Sequence, residues 1–366
     1  MPLLTHTSAK FIPVPQNACG MHNDNDKPFQ CSSPTAGHLR HLRHLRHFKH
    51  QRPKTPETSM PTKRTDPPLF ADTAAGKADL KALAKMLARW QPPQTGTEGL
   101  PPSGKNSGRP WTLADLDPAA KPFSSGDKQH DKSLVETLAA ELDELQNLFY
   151  ADKRFKLLVI LQGTDTAGKD GTLRGVFGRI SPLGVHTVSW RAPNEAERAH
   201  DYLWRIHQQV PAAGEITLFN RSHYEDVLVP PVKGWITPAQ TAERYRHIND
   251  FERLLAQTGT VVLKFMLHIS QEEQRERLQA RLDDPTKQWK FNPDDLEARK
   301  QWKQYQQAYE DLLRATSTPW APWTVVPADS KTHRNLMIAT VVRATLVQLG
   351  LRFPPGDPAL KGLKVH

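Results

Sequence analysis

Beyond about residue 130, short and largely apolar runs alternate with longer amphipathic stretches. The runs Leu157 to Leu161, Val185 to Trp190, Glu215 to Phe219, Val261 to Leu267 and Trp323 to Val326 have strand length. Strands of this kind separated by amphipathic helices predict a parallel sheet covered on both faces. Helix starts are marked as well. Thr237-Pro238-Ala239-Gln240 and Ser270-Gln271-Glu272-Glu273 read as capping boxes, and Asn292-Pro293 reads as an N-cap with proline at the first helical position. Leu134, Leu138, Leu142, Leu145 and Leu148 mark the first helix of this body. The expected fold class is α/β, a doubly wound parallel five-stranded sheet.

Residues 1–110 lack sustained periodicity and are rich in Pro, Thr, Ser and Gly, so a largely disordered basic extension is expected there. Within it Leu80, Leu83, Leu87 and Trp90 share one helical face, which predicts a short docking helix over residues 77–90. The folded domain is expected over 111–350, followed by a C-terminal tail at 351–366. The triplet His38-Leu39-Arg40 repeats twice more, and its period of three drifts around a helix, so it reads as a solvated run.

Charge changes this picture little. Between His38 and Lys54 six cations stand without an acid, and they account for six of the ten net positive charges. A basic excess suits a polyanionic partner, whether nucleic acid, anionic membrane or polyphosphate, without choosing among them. Cys19 and Cys31 both lie in the extension, so a disulfide framework or a cysteine metal site is not expected in the domain. No apolar run reaches membrane-spanning length and no secretory signal opens the chain, so a cytoplasmic protein is expected.

The first strand runs into Gly163-Thr164-Asp165-Thr166-Ala167-Gly168-Lys169-Asp170-Gly171-Thr172, and a helical pattern follows. Strand, G-x-x-x-x-G-K and helix in this order are the setting of a P-loop. Its backbone N–H groups, from Gly163, Thr164, Thr166, Ala167 and Gly168 through Lys169, Asp170, Gly171 and Thr172, would cradle phosphates, and Lys169 adds a full charge. Asp170 stands where ordinary P-loops carry the Ser or Thr that holds Mg²⁺, so Asp165 is the expected metal ligand. The third strand ends in Asn220-Arg221-Ser222-His223-Tyr224-Glu225. Arg221 there could neutralise a transferring phosphate, and Glu225 could face the acceptor. Residues 281–293, between two helices, form a polar basic segment that reads as a lid.

Together with Asp201-Tyr202-Leu203-Trp204-Arg205, Arg281-Leu282-Asp283-Asp284-Pro285, Trp289-Lys290-Phe291 and Trp320-Ala321-Pro322-Trp323, these motifs resemble the type 2 polyphosphate kinases from Leu134 to Leu349. The resemblance implies a P-loop kinase-like core of thymidylate-kinase type with a helical lid. It implies reversible phosphoryl transfer between inorganic polyphosphate and the nucleotides AMP, ADP and ATP, with Mg²⁺, or Mn²⁺ in its place, and no covalent enzyme intermediate. A homo-oligomer, dimer or tetramer, is implied too, with neither membrane nor nucleic acid as partner. Asp165 resembles the family's catalytic metal-binding aspartate, Lys169 and Arg221 its phosphate ligands, Lys287 and Lys290 its lid cations, and Arg191 and Arg205 its acceptor-side anchors. Asn220 with Glu225 is similar to the subgroup accepting both AMP and ADP, although Pro230-Pro231-Val232-Lys233 departs from it. Two rivals stay open at this point: an ATP-dependent nucleotide kinase, and a non-catalytic polyanion binder whose affinity resides in the extension.

Overall fold

The computed structural model describes residues 74–95 and 111–365. The His/Arg triplets, both cysteines and the remainder of the expected extension lie outside them.

In chain order the elements are α1 (Ala74–Ala88), α2 (Lys128–Asp152), β1 (Lys156–Gln162), α3 (Lys169–Phe177), β2 (Val185–Ser189), α4 (Glu195–Arg198), α5 (Trp204–His207) and β3 (Ile216–Asn220). Then follow α6 (Val229–Val232), α7 (Pro238–Gln257), β4 (Thr260–His268), α8 (Gln271–Asp283), α9 (Asp294–Lys300), α10 (Trp302–Thr316), β5 (Trp323–Pro327) and α11 (Lys331–Gln348). The strands form one five-stranded sheet in the order β2-β3-β1-β4-β5, with every pairing parallel. Each expected strand is present, so the apolar runs are the buried strands they resemble.

β1 occupies the centre, and Leu157 to Leu161 are all fully buried. Burying each such leucine stabilises the fold by about 1.5–3 kcal/mol relative to exposure. α2, α3 and α11 pack together on one side of the sheet, and α7 and α10 pack together beside β4. Asp127 caps α2, its Oδ1 accepting from the N–H groups of Gln129 and His130 at 2.7 and 3.4 Å.

The capping signals hold to different degrees. Thr237 and Gln240 make the full reciprocal box at the start of α7. Ser270 accepts from Glu273 N at 3.0 Å, but the Glu273 carboxylate takes Arg277 Nε at 2.7 Å instead of returning to the cap. Half of that expected box is therefore missing, because a cation one turn along is the better partner. Asn292 Oδ1 accepts from Asp294 N at 3.1 Å, and α9 begins one residue later than expected, with Pro293 at its cap.

α1 belongs to the folded body. Leu87 and Trp90 are buried in the main core. Trp90 O accepts Val325 N at 2.7 Å, and Thr95 N donates to Ser317 O at 2.8 Å.

Candidate phosphate-transfer site

β1 delivers its C-terminal end to the rim of the sheet, where the chain must turn sharply into α3. Gly163 adopts φ 149°, and a Cβ there would lie 2.7 Å from Leu267 O. Gly168, the N-cap of α3, adopts φ 106°, and a Cβ would run into the Arg334 guanidinium behind the loop. Only glycine meets both demands. Thr166 is also left-handed, at φ 64° without being glycine, which stores about 1–3 kcal/mol of strain in the loop. The first N–H groups of α3, from Lys169, Asp170 and Gly171, lack acceptors within their helix and point to the space before it.

Lys169 folds back over its own loop, with Nζ donating to Gly163 O at 2.7 Å and Thr164 O at 3.2 Å. Burial, reinforced by the nearby Arg221 charge, draws its pKa down to about 8. Asp165 offers Oδ1 to Arg221 Nη2 at 2.8 Å, and Oδ2 has no partner among the described residues.

The end of β3 is strained in the same manner. Arg221 adopts φ 65°, its N–H donating to Leu161 O at 3.0 Å. Ser222 then caps a 3-10 turn over His223–Val227, which returns Glu225 to the side of Arg221. Gln162 Nε2 fixes Ser222 Oγ from β1 at 3.1 Å. Arg221 thus stands between two carboxylates, Asp165 and Glu225, the latter at 3.6 Å from Nη1. Burial opposes its charge, but Glu225 and Asp165 together hold its pKa above the ordinary arginine value. Burial raises the pKa of Glu225, against the pull of Arg221 and Lys169.

These groups meet in one cleft open to solvent, where Gly163, Thr164, Asp165, Arg221 and Glu225 face Trp302, Tyr305 and Tyr309 of α10. A hard carboxylate with one free oxygen, set beside a phosphate-sized cradle, fits Mg²⁺. Thr164 Oγ1 and Thr166 Oγ1 are buried without partners among the described residues, which leaves acceptor and donor capacity in the loop itself.

The segment 281–293 brings one of its two candidate cations to this rim and pairs the other within its own turn. Lys290 Nζ reaches Asp170 Oδ2 at 3.3 Å, whereas Lys287 Nζ pairs with Asp284 of its own turn at 2.5 Å. Asn220 Nδ2 donates to Asp170 Oδ1 at 2.8 Å. Arg191 and Arg205 are not brought to the cleft. Arg205 is buried, donating to Arg191 O at 2.9 Å, pairing with Glu197 and lying over the Trp190 ring. In this position it braces the segment after β2.

Sequence reasoning missed the supports behind the loop. Arg277 Nη1 donates to both Thr166 O and Ala167 O at 3.0 Å, and its Nη2 to Ala328 O and Asp329 O at 2.7 and 2.9 Å. Buried Arg334 adds a weaker bond to Ala167 O at 3.4 Å. Burial and the neighbouring Arg277 lower its pKa to about 10. The two guanidiniums fasten the carbonyl side of the loop, so its N–H groups face outward.

Residues 125–349 match the sequence profile of the family described as polyphosphate kinase 2 (PPK2). The chain is 49% identical over 256 residues to an AMP/ADP-polyphosphate phosphotransferase of Meiothermus ruber, covering 70% of this chain and 96% of that protein. It is 40% identical over 244 residues to an ADP-polyphosphate phosphotransferase of Rhodopseudomonas palustris, covering 63% and 84% respectively. The crystal structure of polyphosphate kinase 2 from Arthrobacter aurescens TC1 superposes with a TM-score of 0.67 at 43% identity, covering 69% of this chain and 92% of that one.

Proposed function

The chain belongs to the polyphosphate kinase 2 family, and from that membership we propose that it is a polyphosphate:AMP/ADP phosphotransferase working reversibly at the cleft above β1 and β3. The observation that carries the site assignment is the convergence of Gly163, Asp165, Arg221 and Glu225 on one cleft, with Lys169 beside it. Phosphoryl transfer through a loose in-line transition state asks the protein mainly for positioning and for positive charge around the equatorial oxygens.

In this reading the phosphate chain lies on the N–H groups of the loop and α3. Lys169 exchanges the carbonyls of Gly163 and Thr164 for phosphate oxygens, which gives its ammonium a directly bonded counter-charge. Arg221 likewise turns from Asp165 toward the transferring group, held in range by its left-handed backbone. Mg²⁺ or Mn²⁺ held by Asp165 would supply charge neutralisation between donor and acceptor phosphates. Glu225, at the acceptor side of Arg221, makes the site suit AMP as well as ADP. A homo-oligomer, implied by the resemblance, and a cytoplasmic location, expected from the sequence, form part of the proposal. Among the described residues no helix is long and apolar enough to cross a membrane.

The test incubates the purified protein with Mg²⁺, polyphosphate and either AMP or ADP. ADP and ATP are the expected products, and phosphorylation that occurs only with ATP as donor would overturn the proposal in favour of a nucleotide kinase. Glu225→Asn is expected to lower the ratio of AMP to ADP rates by about tenfold, as loss of one buried polar contact does. An unchanged ratio removes Glu225 from acceptor choice.

A further inference from the structure

The function described so far leaves Asp170 without a task. A negative charge at the mouth of an anion cradle repels the donor, and its place is where ordinary P-loops carry a hydroxyl. The end of β3 shows the reverse exchange, with the amide of Asn220 where an acid is usual. The two meet in space, Asn220 Nδ2 donating to Asp170 Oδ1 at 2.8 Å. This bond fixes the carboxylate and leaves Oδ2 to the lid, where Lys290 Nζ takes it at 3.3 Å. Lys290 sits in the turn Gln288–Lys290, and its carbonyl accepts Arg281 Nη1 at 3.3 Å, so the turn is tied to α8 as well. One carboxylate therefore joins the first turn of α3, the end of β3 and the lid.

We propose that Asp170 is a positioning residue that parks the lid cation Lys290 over the P-loop helix in the empty enzyme and yields it to polyphosphate on binding. The pair is suited to exchange. The Asp170 side chain is 58% exposed, and a solvent-facing ion pair is weak and easily replaced. A phosphate chain bearing several charges outcompetes one carboxylate for the same ammonium. Until then Lys290 offsets the charge of Asp170, so the cradle stays net attractive to anions at the moment of encounter. The contact itself is a feature of the fold; its hand-over to polyphosphate rests on the proposed function.

The experiment separates the two halves. In the full-length, ligand-free protein, limited trypsin digestion reports cleavage after Lys290 relative to cleavage after the exposed tail residue Lys361. Asp170→Asn, which keeps an acceptor for Asn220, and Asp170→Ser are both expected to accelerate the Lys290 cut about two- to fivefold. An unchanged ratio in both overturns the parking contact whatever the enzyme's substrates. In steady-state assays Asp170→Asn is expected to lower KM for polyphosphate two- to fivefold, and to lose that effect in a Lys290→Ala background. Equal effects in both backgrounds overturn the hand-over. Mn²⁺ affinity, followed by electron paramagnetic resonance, is expected to match wild type, and a tenfold loss in Asp170→Asn would make Asp170 a metal ligand instead.

Discussion

The rim around Lys169 and the core around Lys264 each bury a lysine, at 9% and 1% exposure, yet they are built for opposite purposes. Lys264 spends all three of its donors, on Glu252 Oε2 at 2.6 Å, the Tyr224 hydroxyl at 2.7 Å and Thr316 O at 2.7 Å. Glu252 is closed in turn, its Oε1 accepting from the Tyr224 hydroxyl at 2.7 Å and lying 3.3 Å from His223 Nε2. Lys264 has no donor left for a ligand, and both oxygens of Glu252 are engaged. Lys169 has only two loop carbonyls and makes no ion pair among the described residues, and its loop opens on a cleft. Burial lowers the pKa of both; the bonded Glu252 opposes the shift at Lys264, whereas at Lys169 the Arg221 charge adds to it and Asp165, Glu225 and Asp170 oppose it without bonding to it. A buried cation with a complete set of partners is architecture, and one with carbonyls alone is a charge held ready. The two regions still cooperate, since the Lys264 cluster grips His223 and Tyr224 of the turn that presents Glu225.

The contrast breaks most visibly in stability. Lys264→Met leaves Glu252 buried without its cation, and urea denaturation should show a loss of about 3–5 kcal/mol. Pairing it with Glu252→Gln should recover most of that loss, because no unpaired charge then remains. A single variant as stable as wild type would contradict the closed-cluster reading. Lys169→Ala should do the converse, lowering kcat by at least about 100-fold while its urea midpoint stays near wild type. Normal turnover in that variant removes Lys169 from the chemistry. The smallest effect sharpens the comparison through pH. The folded pKa of Lys169 lies near 8, below its ordinary 10.5, so its positive charge is full below 8 and fades as pH rises through that value. KM for polyphosphate should therefore climb between about pH 7 and 9, and Lys169→Arg should flatten the rise. By linkage, the folded chain binds fewer protons at this site between 8 and 10.5, so this group's contribution to stability increases with pH across that window. A flat KM profile in wild type would show that Lys169 does not titrate in this range.

Much of this was legible in the chain. Apolar runs have one physical explanation when bounded by turns and separated by amphipathic stretches, and all five strands followed. Gly163, Gly168 and Lys169 were legible because backbone geometry at a phosphate cradle admits few residues. The supports were not. Arg277 and Arg334 act on loop carbonyls from α8 and α11, and a helical arginine gives no sign of which backbone it will meet. Trp302, Tyr305 and Tyr309 repeat at helical spacing, the same signal a core face gives, yet they form the far wall of the cleft. For Arg205 the acceptor-side expectation comes from the family resemblance alone, and no pattern in the chain signals its contacts with Glu197 and the carbonyl of Arg191.

The bond from Val325 to Trp90 has a practical consequence for anyone shortening this chain. β5 is an outermost strand, and the segment after α1 covers part of its open side. Removing everything before residue 111 would bare that side along with the apolar pocket left by Leu87 and Trp90. Such a product invites strand-to-strand association between molecules, and its insolubility would be mistaken for a requirement of catalysis. A trimmed enzyme should begin ahead of Ala74.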